Sequence, residues 1–278
     1  MKHIQPRKPP KTDAPAPGWS AGWHGLYYRP EMTYYNHAEL ERQAFLNILT
    51  CYPDQAITLF ELGAGRGDWC MAATGVVRHR LIEPCPSQVT CYAVEADPTH
   101  AAWTRDHFVQ NSVAGQVIEA AVSNVTGTVP FRADLDPLAS FAQRIMPGHD
   151  GDTIRVPCYR MNDLASQLEV TAIDILHMDV QGEETKVVQG MGGLLPRTSY
   201  FVIETHSRVL EAELTALLWE THDQLVYLPI GGTLALDGFD RPFVGKGGGV
   251  QVWQLRALRD DSYTWPASFI QEEIAVVL

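Results

Sequence analysis

Five short apolar runs recur along the chain: AITLFEL at 56–62, TCYAVEA at 90–96, GQVIEAAV at 115–122, AIDILHMD at 172–179 and SYFVIETH at 199–206. Each is nearly continuous in its hydrophobicity, the pattern of parallel strands buried on both faces. Helix candidates lie among them, DWCMAATGVVRH, PTHAAWTRDHFVQ and EETKVVQGM. This alternation predicts a doubly wound α/β sheet. Two late runs, DQLVYLP and GVQVWQL, flank a glycine-rich loop and suggest a final antiparallel pair, making seven strands.

Upstream, Leu40, Phe45, Ile48 and Leu49 share one face of a helix over LERQAFLNIL, and Asn36 and Glu39 have capping-box spacing. Residues 1–22, rich in Pro, Lys and Gly, are expected to form a flexible arm. Residues 23–55 form an aromatic and helical N-terminal extension, and 56–278 the α/β domain. Trp23, Tyr27, Tyr28, Tyr34 and Tyr35 are candidates for a lid or stacking wall, although packing of the extension explains them as simply. Residues 131–160 are expected to be an insertion before the fourth main strand.

A hydrophobic share of 45% supplies a core without metal or disulfide. The net charge of −12 changes the picture more, because it opposes nucleic-acid and anionic-membrane partners, which need clustered Lys and Arg. Five cysteines with no C-x-x-C pair imply reduced thiols. No apolar run suits a signal peptide or a membrane span. The expectation is a soluble cytoplasmic protein.

The first β-α turn of such a sheet is where ligands bind. Here it lies in LFELGAGRGDW, residues 59–69. A phosphate-binding Walker loop is excluded by Asp68 and the missing Lys. A dinucleotide fingerprint is disfavoured because Asp68 stands where its third glycine belongs, next to the pyrophosphate. Gly63 and Gly65 behind Glu61 suit a ligand carrying an ammonium group and no phosphate, such as S-adenosylmethionine. Glu61 or Asp68 would attract the ammonium or sulfonium region. Glu95, closing the second strand, is placed to accept ribose hydroxyls, as nicotinamide-binding proteins also arrange.

With FELGAGRGDW, YAVEADP, EAAVSNVTGTVPF, VPCYRMNDLA, IDILHMDVQGEETKVVQGM and FVIETH in this order, residues 58–206 resemble the FkbM-type methyltransferases. The resemblance implies a class I, Rossmann-like enzyme with a mostly parallel seven-stranded sheet. Its cofactor would be S-adenosylmethionine, and its reaction O-methylation of a sugar, glycan or secondary metabolite. By position, Glu61, Gly63, Gly65 and Glu95 would bind the cofactor, with Ala121 and Val122 near its adenine. Asp179 and Glu184 match the family's D-x-x-G-x-E, and Glu204 the acid that ends the next strand.

An alcohol acceptor needs a base to take its proton. His177, Asp179, Glu204 and His206 end the fourth and fifth strands, and Asp179 and His206, nearest the strand ends, are the catalytic candidates. His177, deeper in its strand, is expected to be a core histidine. Asp179, Glu184 and Glu204 offer oxygen ligands, but their spacing fits no metal motif and no metal is expected. A small-molecule or glycan hydroxyl would be the partner. An NAD-dependent oxidoreductase and a non-catalytic binding module of the same fold are the competing readings.

Overall fold

Near-continuous apolar runs need cover on both faces, and each of the predicted runs contributes a strand to one sheet. In the computed structural model, residues 1–11, 19–29, 39–133, 144–146, 153–236, 238–245 and 247–258 are described. The strands are β1 (Ala56–Leu62), β2 (Gln88–Glu95), β3 (Gly115–Glu119), β4 (Ile173–Met178), β5 (Thr198–Thr205), β6 (His222–Leu228) and β7 (Gly249–Leu255), in spatial order β6-β7-β5-β4-β1-β2-β3. The order reverses between β1 and β4, which opens a crevice at their carboxyl ends. Strands β1 to β5 run parallel, and β7 runs antiparallel to both neighbours.

Phe60, Leu62, Leu176 and Phe201 fill the core on one face of the sheet, while Leu59, Ile175, Tyr200 and Val202 fill it on the other. Among the described residues six α-helices accompany the sheet: α1 (Glu39–Leu49), α2 (Asp68–Arg78), α3 (Pro98–Gln110), α4 (Met161–Gln167), α5 (Glu184–Gln189) and α6 (Arg208–Leu218). Asp97 caps α3 by accepting from the N–H groups of Thr99 and His100, with Pro98 at the first helical position. Ser207 caps α6 through Leu210 N–H. The capping pair proposed for α1 involves Asn36, which lies outside the described residues.

The run GQVIEAAV does not stay in one strand. Pairing of β3 with β2 stops at Glu95 opposite Glu119, because β2 there turns into α3. Ala121–Val122 instead joins a second sheet with Ile154–Tyr159, Gly127–Arg132 and Arg144–Ile145. The expected insertion therefore adds strands to a small sheet that borders the crevice.

Residues 1–11 do not form the solvated arm expected of them. Lys2 and Asn47 exchange two hydrogen bonds, Lys2 N to Asn47 Oδ1 at 3.0 Å and Asn47 Nδ2 to Lys2 O at 2.8 Å. Ile4 and Gln43 repeat the exchange at 2.8 and 2.9 Å. Gln43 and Asn47 lie one helical turn apart on α1, so two amide side chains hold an extended segment that offers them backbone groups. Tyr27 is tied through its backbone to Asn111, and Tyr28 packs with Met71 and the His107 ring. Neither they nor Trp23 wall the crevice, and Tyr34 and Tyr35 lie outside the described residues. All five cysteines are unpaired, four of them buried. No helix among the described residues is long and apolar enough to cross a membrane.

Candidate active site

The glycine loop is held by close backbone approach. Gly63 N and Ala64 N both donate to Val94 O at 3.0 Å, and Asp179 N donates to Leu62 O at 3.0 Å. Gly63 has φ +71°, and a Cβ there would sit 1.8 Å from the Asp179 carbonyl oxygen. Gly67 has φ +74°, and its Cβ would fall 2.7 Å from Thr104 Cγ2. Gly67 therefore provides the close helix contact for which the sequence comparison sought a glycine at position 68.

Glu61 is buried and commits both oxygens to α2. Oε1 accepts from Trp69 N at 3.0 Å and Oε2 from Cys70 N at 2.8 Å. Gly67, the N-cap, offers no side chain, so Glu61 satisfies two helix-end N–H groups from outside the helix. Burial pushes its carboxyl up to about 8, against the pull of these two bonds. Glu61→Gln places an amide N–H against a helix N–H, and is expected to cost about 1–3 kcal/mol of stability in a denaturant titration.

Glu95 ties the loop to β2. Its Oε2 accepts from Gly65 N at 2.6 Å and its Oε1 from Asp97 N at 2.7 Å. Burial raises its pKa, and these bonds and His100 oppose the rise. Ala121 packs with Ala96, Phe131 and Val156 in a small apolar cluster.

Glu61, Gly63, Gly65, Glu95, Ala121 and Val122 all wall one cavity of ≈ 660 Å³. The glycine loop gives it a polar end and the Ala96–Ala121–Phe131 cluster an apolar end.

Asp179 follows β4 and faces the same cavity, as does Glu204 near the end of β5. Asp179 Oδ1 accepts from Gln181 Nε2 at 2.9 Å. Burial first, then the Glu204 charge, pushes its carboxyl up to about 7, while His206 and His177 pull it down. His206 is not among the residues walling the cavity. It stands behind Asp179, with Nε2 3.4 Å from Asp179 Oδ1 and Nδ1 2.7 Å from Glu184 Oε1. Burial lowers the His206 pKa, but the Glu184 hydrogen bond and the charges of Glu184, Asp179 and Glu204 outweigh it, so the net shift is upward. Strand parity alone did not separate the cavity-facing Asp179 from the His206 that backs it.

Two further groups enter the cavity wall. His177 is buried, packs against Trp69 in a tilted pair with 4.9 Å between ring centroids, and is pushed down to about 4 by burial. Glu41 comes from α1, in the N-terminal extension, and its carboxyl is pushed up to about 7 by burial. Glu41 was not among the site residues expected from the sequence. The signal was present, because Glu41 is one turn before Phe45, on the apolar face. Among the described residues, no set of three or more His, Cys, Asp or Glu could hold a metal ion.

A sheet of this order, with a glycine loop after β1, an acid closing β2 and a cavity over the reversal, defines a class I methyltransferase fold. The family model described as the methyltransferase FkbM domain matches residues 61–227, and the chain belongs to that family. It is a methyltransferase dependent on S-adenosylmethionine. The oxidoreductase reading falls with this assignment.

Similar solved structures include a precorrin-6y C5,15-methyltransferase from Geobacter metallireducens GS-15, at 9% identity and TM-score 0.44, over 81% of this chain and 92% of that one. An rRNA methylase from Streptococcus thermophilus is similar at 8% identity and TM-score 0.43, over 77% and 96%. TrmK of M. capricolum, solved with S-adenosylhomocysteine, is similar at 8% identity and TM-score 0.41, over 76% and 67%. No curated protein matches significantly.

The cavity fits the cofactor on its own chemistry. Gly63 and Gly65 line the cavity without side chains, Glu95 stands at the end of β2, and the apolar end suits a purine.

Proposed function

We propose that the protein is an O-methyltransferase acting on a hydroxyl of a small molecule or glycan, such as a sugar or secondary metabolite. Asp179 carries the reading. Its carboxyl faces the cavity, is pushed up to about 7 by burial, and is backed by a histidine whose charge favours the ionised form. Glu95 would hold the cofactor's ribose and Ala121 and Val122 its adenine, with Gly63 and Gly65 beside the aminoacyl end. When bound, S-adenosylmethionine supplies an electrophilic methyl group on a sulfonium.

Asp179 takes the hydroxyl proton as the acceptor oxygen attacks. Glu184 fixes the His206 ring by accepting from Nδ1–H, which leaves Nε2 turned toward Asp179. Asp179 keeps the abstracted proton, and the His206 charge beside it favours its ionised form before the transfer. The walls exclude water and orient the acceptor, which is most of what an in-line methyl transfer requires.

Carboxylates from Glu41, Asp179 and Glu204 face the cavity. Together with the net charge of −12 they oppose a polyanionic acceptor. The same reading places the enzyme in the cytoplasm, where its unpaired thiols stay reduced.

The test is transfer of labelled methyl from S-adenosylmethionine to a panel of hydroxylated sugars and aglycones, with the product linkage assigned by NMR. A methyl ether supports the reading. A product methylated at nitrogen or carbon overturns it. Glu95→Ala is expected to weaken S-adenosylhomocysteine by about tenfold or more, measured by calorimetry, since it removes a charged acceptor and frees the loop at Gly65.

A further inference from the structure

Glu61 or Asp68 was expected to attract the cofactor's ammonium or sulfonium region, yet both oxygens of Glu61 serve α2. Glu95 is likewise occupied by two N–H groups. Asp68 also has an unpartnered oxygen, Oδ1, but its Oδ2 lies 3.4 Å from the Arg66 guanidinium within the same wall. Glu41 differs from Glu61 and Glu95 in its unpartnered oxygen, and from Asp68 in that its ion-pair neighbour is a histidine. It is 4% exposed, it lines the cavity, and its Oε1 has no hydrogen-bond partner.

Its nearest titratable neighbour is His177, with Nε2 3.8 Å from Glu41 Oε1. Neither ring nitrogen of His177 has a hydrogen-bond partner. At a pKa of about 4 this ring is neutral near pH 7 and gives Glu41 no counter-charge. Buried polar atoms are rarely left without a partner, and an uncompensated buried carboxylate is costly.

Asp179 and Glu204 add negative charge to the same region, and Glu41 raises the pKa of both. His206 is the cation that opposes Glu41. A trapped water would satisfy the hydrogen bonds and leave the charge. A metal ion would need a set of ligands that is absent among the described residues. A compact cation with N–H donors meets both needs.

The position agrees. His177 lies opposite Glu61 in the β1–β4 register, and its ring packs tilted against that of Trp69, whose backbone N–H donates to Glu61. Glu41 thus stands beside the polar, glycine-loop end of the cavity, away from the apolar end.

We propose that Glu41 anchors a primary ammonium group in this part of the cavity. The N-terminal extension then completes the binding site. Two molecules in the reaction could bring the ammonium: the cofactor through its aminoacyl end, or an acceptor that carries an amine. The inference rests on the cofactor assignment, and it stands whichever acceptor atom is methylated.

The test is calorimetry on the full chain, wild type and Glu41→Gln, with binding alone as readout. Glu41→Gln is expected to weaken S-adenosylhomocysteine by about 10- to 100-fold, the worth of a charged hydrogen bond, and to leave 5′-methylthioadenosine unchanged. That result assigns the ammonium to the cofactor. If S-adenosylhomocysteine is unaffected, glucosamine and glucose are titrated with it bound. Tenfold or greater loss of glucosamine alone assigns the ammonium to the acceptor.

Equal loss of S-adenosylhomocysteine and 5′-methylthioadenosine, or no loss of any probe, overturns the proposal. Should the variant not fold, wild-type protein decides with deaminated S-adenosylhomocysteine, which keeps the carboxylate. Binding as tight as that of the parent, together with equal binding of glucosamine and glucose, overturns it as well. A failure here leaves the methyl-ether test above untouched, because no step of it uses turnover.

Discussion

Asp179→Asn is expected to lower kcat by about 10²- to 10⁴-fold, the usual range for loss of a general base. The substitution keeps shape and the acceptor for Gln181, so cofactor binding is expected to persist. The backbone of residue 179, which meets the glycine loop, is unchanged. A loss confined to kcat, with S-adenosylhomocysteine binding intact by calorimetry, separates the base from a binding group. Turnover that stays near the wild-type rate would remove Asp179 from the mechanism.

The same residue sets a pH dependence. The ionised carboxylate is the base, so the wild-type rate is expected to rise with pH through about 7. The Glu204 charge raises the Asp179 pKa, and Glu204→Gln should move the rising limb to lower pH. His206 opposes that rise, and His206→Gln should move the limb higher.

Stability has the opposite sign. The folded state raises this carboxyl from 3.8 to about 7, so it binds the proton more tightly than the unfolded chain does. Stability from this group is full below the unfolded value and declines as pH rises through that window. Asp179→Asn removes the ionisation, and its melting temperature relative to wild type is expected to be higher at pH 8 than at pH 5. A base that costs stability at the pH where it works is one instance of the trade between activity and stability.

Seven strands and their order of appearance were legible because strands covered on both faces need uninterrupted apolar runs, and such runs are short and countable. The cavity-facing residues at strand ends were legible for a related reason, since position within a parallel strand fixes which end of the sheet a side chain reaches. Three things were not legible. Glu61 and Glu95 each satisfy backbone N–H groups, and nothing in a residue type says whether a carboxylate meets a ligand or a helix end. His206 and Asp179 differ by which lies in front, and that depends on α5 bringing Glu184 to Nδ1. Residues 1–11 looked like a tail by composition, but Gln43 and Asn47 hold them through backbone groups that carry no compositional mark.

Gly63→Ala is expected to abolish S-adenosylhomocysteine binding and to cost more than about 4 kcal/mol, the range reached only by severe backbone or core damage. Two costs combine. An alanine at φ +71° adopts a left-handed conformation worth about 1–2 kcal/mol. Its Cβ also overlaps a carbonyl, 1.8 Å from Asp179 O and 2.8 Å from Asp179 C. A flexible side chain could move aside; this obstacle is backbone, fixed by Asp179 N–H on Leu62 O. The other side is fixed too, by Gly63 N–H and Ala64 N–H on Val94 O. Relief must separate β1 from β4 at the crevice, which displaces the glycine loop and Asp179 together. Gly231→Ala isolates the conformational cost, because Gly231 has nearly the same dihedral, φ +72°, but a Cβ there meets nothing within 4 Å. The expected order in melting temperature is wild type, then Gly231→Ala, then Gly63→Ala by a wide margin. Near-equal destabilisation of the two variants would mean that the glycine at 63 is required only for its dihedral angle, and that the approach of β4 to the loop is looser than the 1.8 Å contact demands.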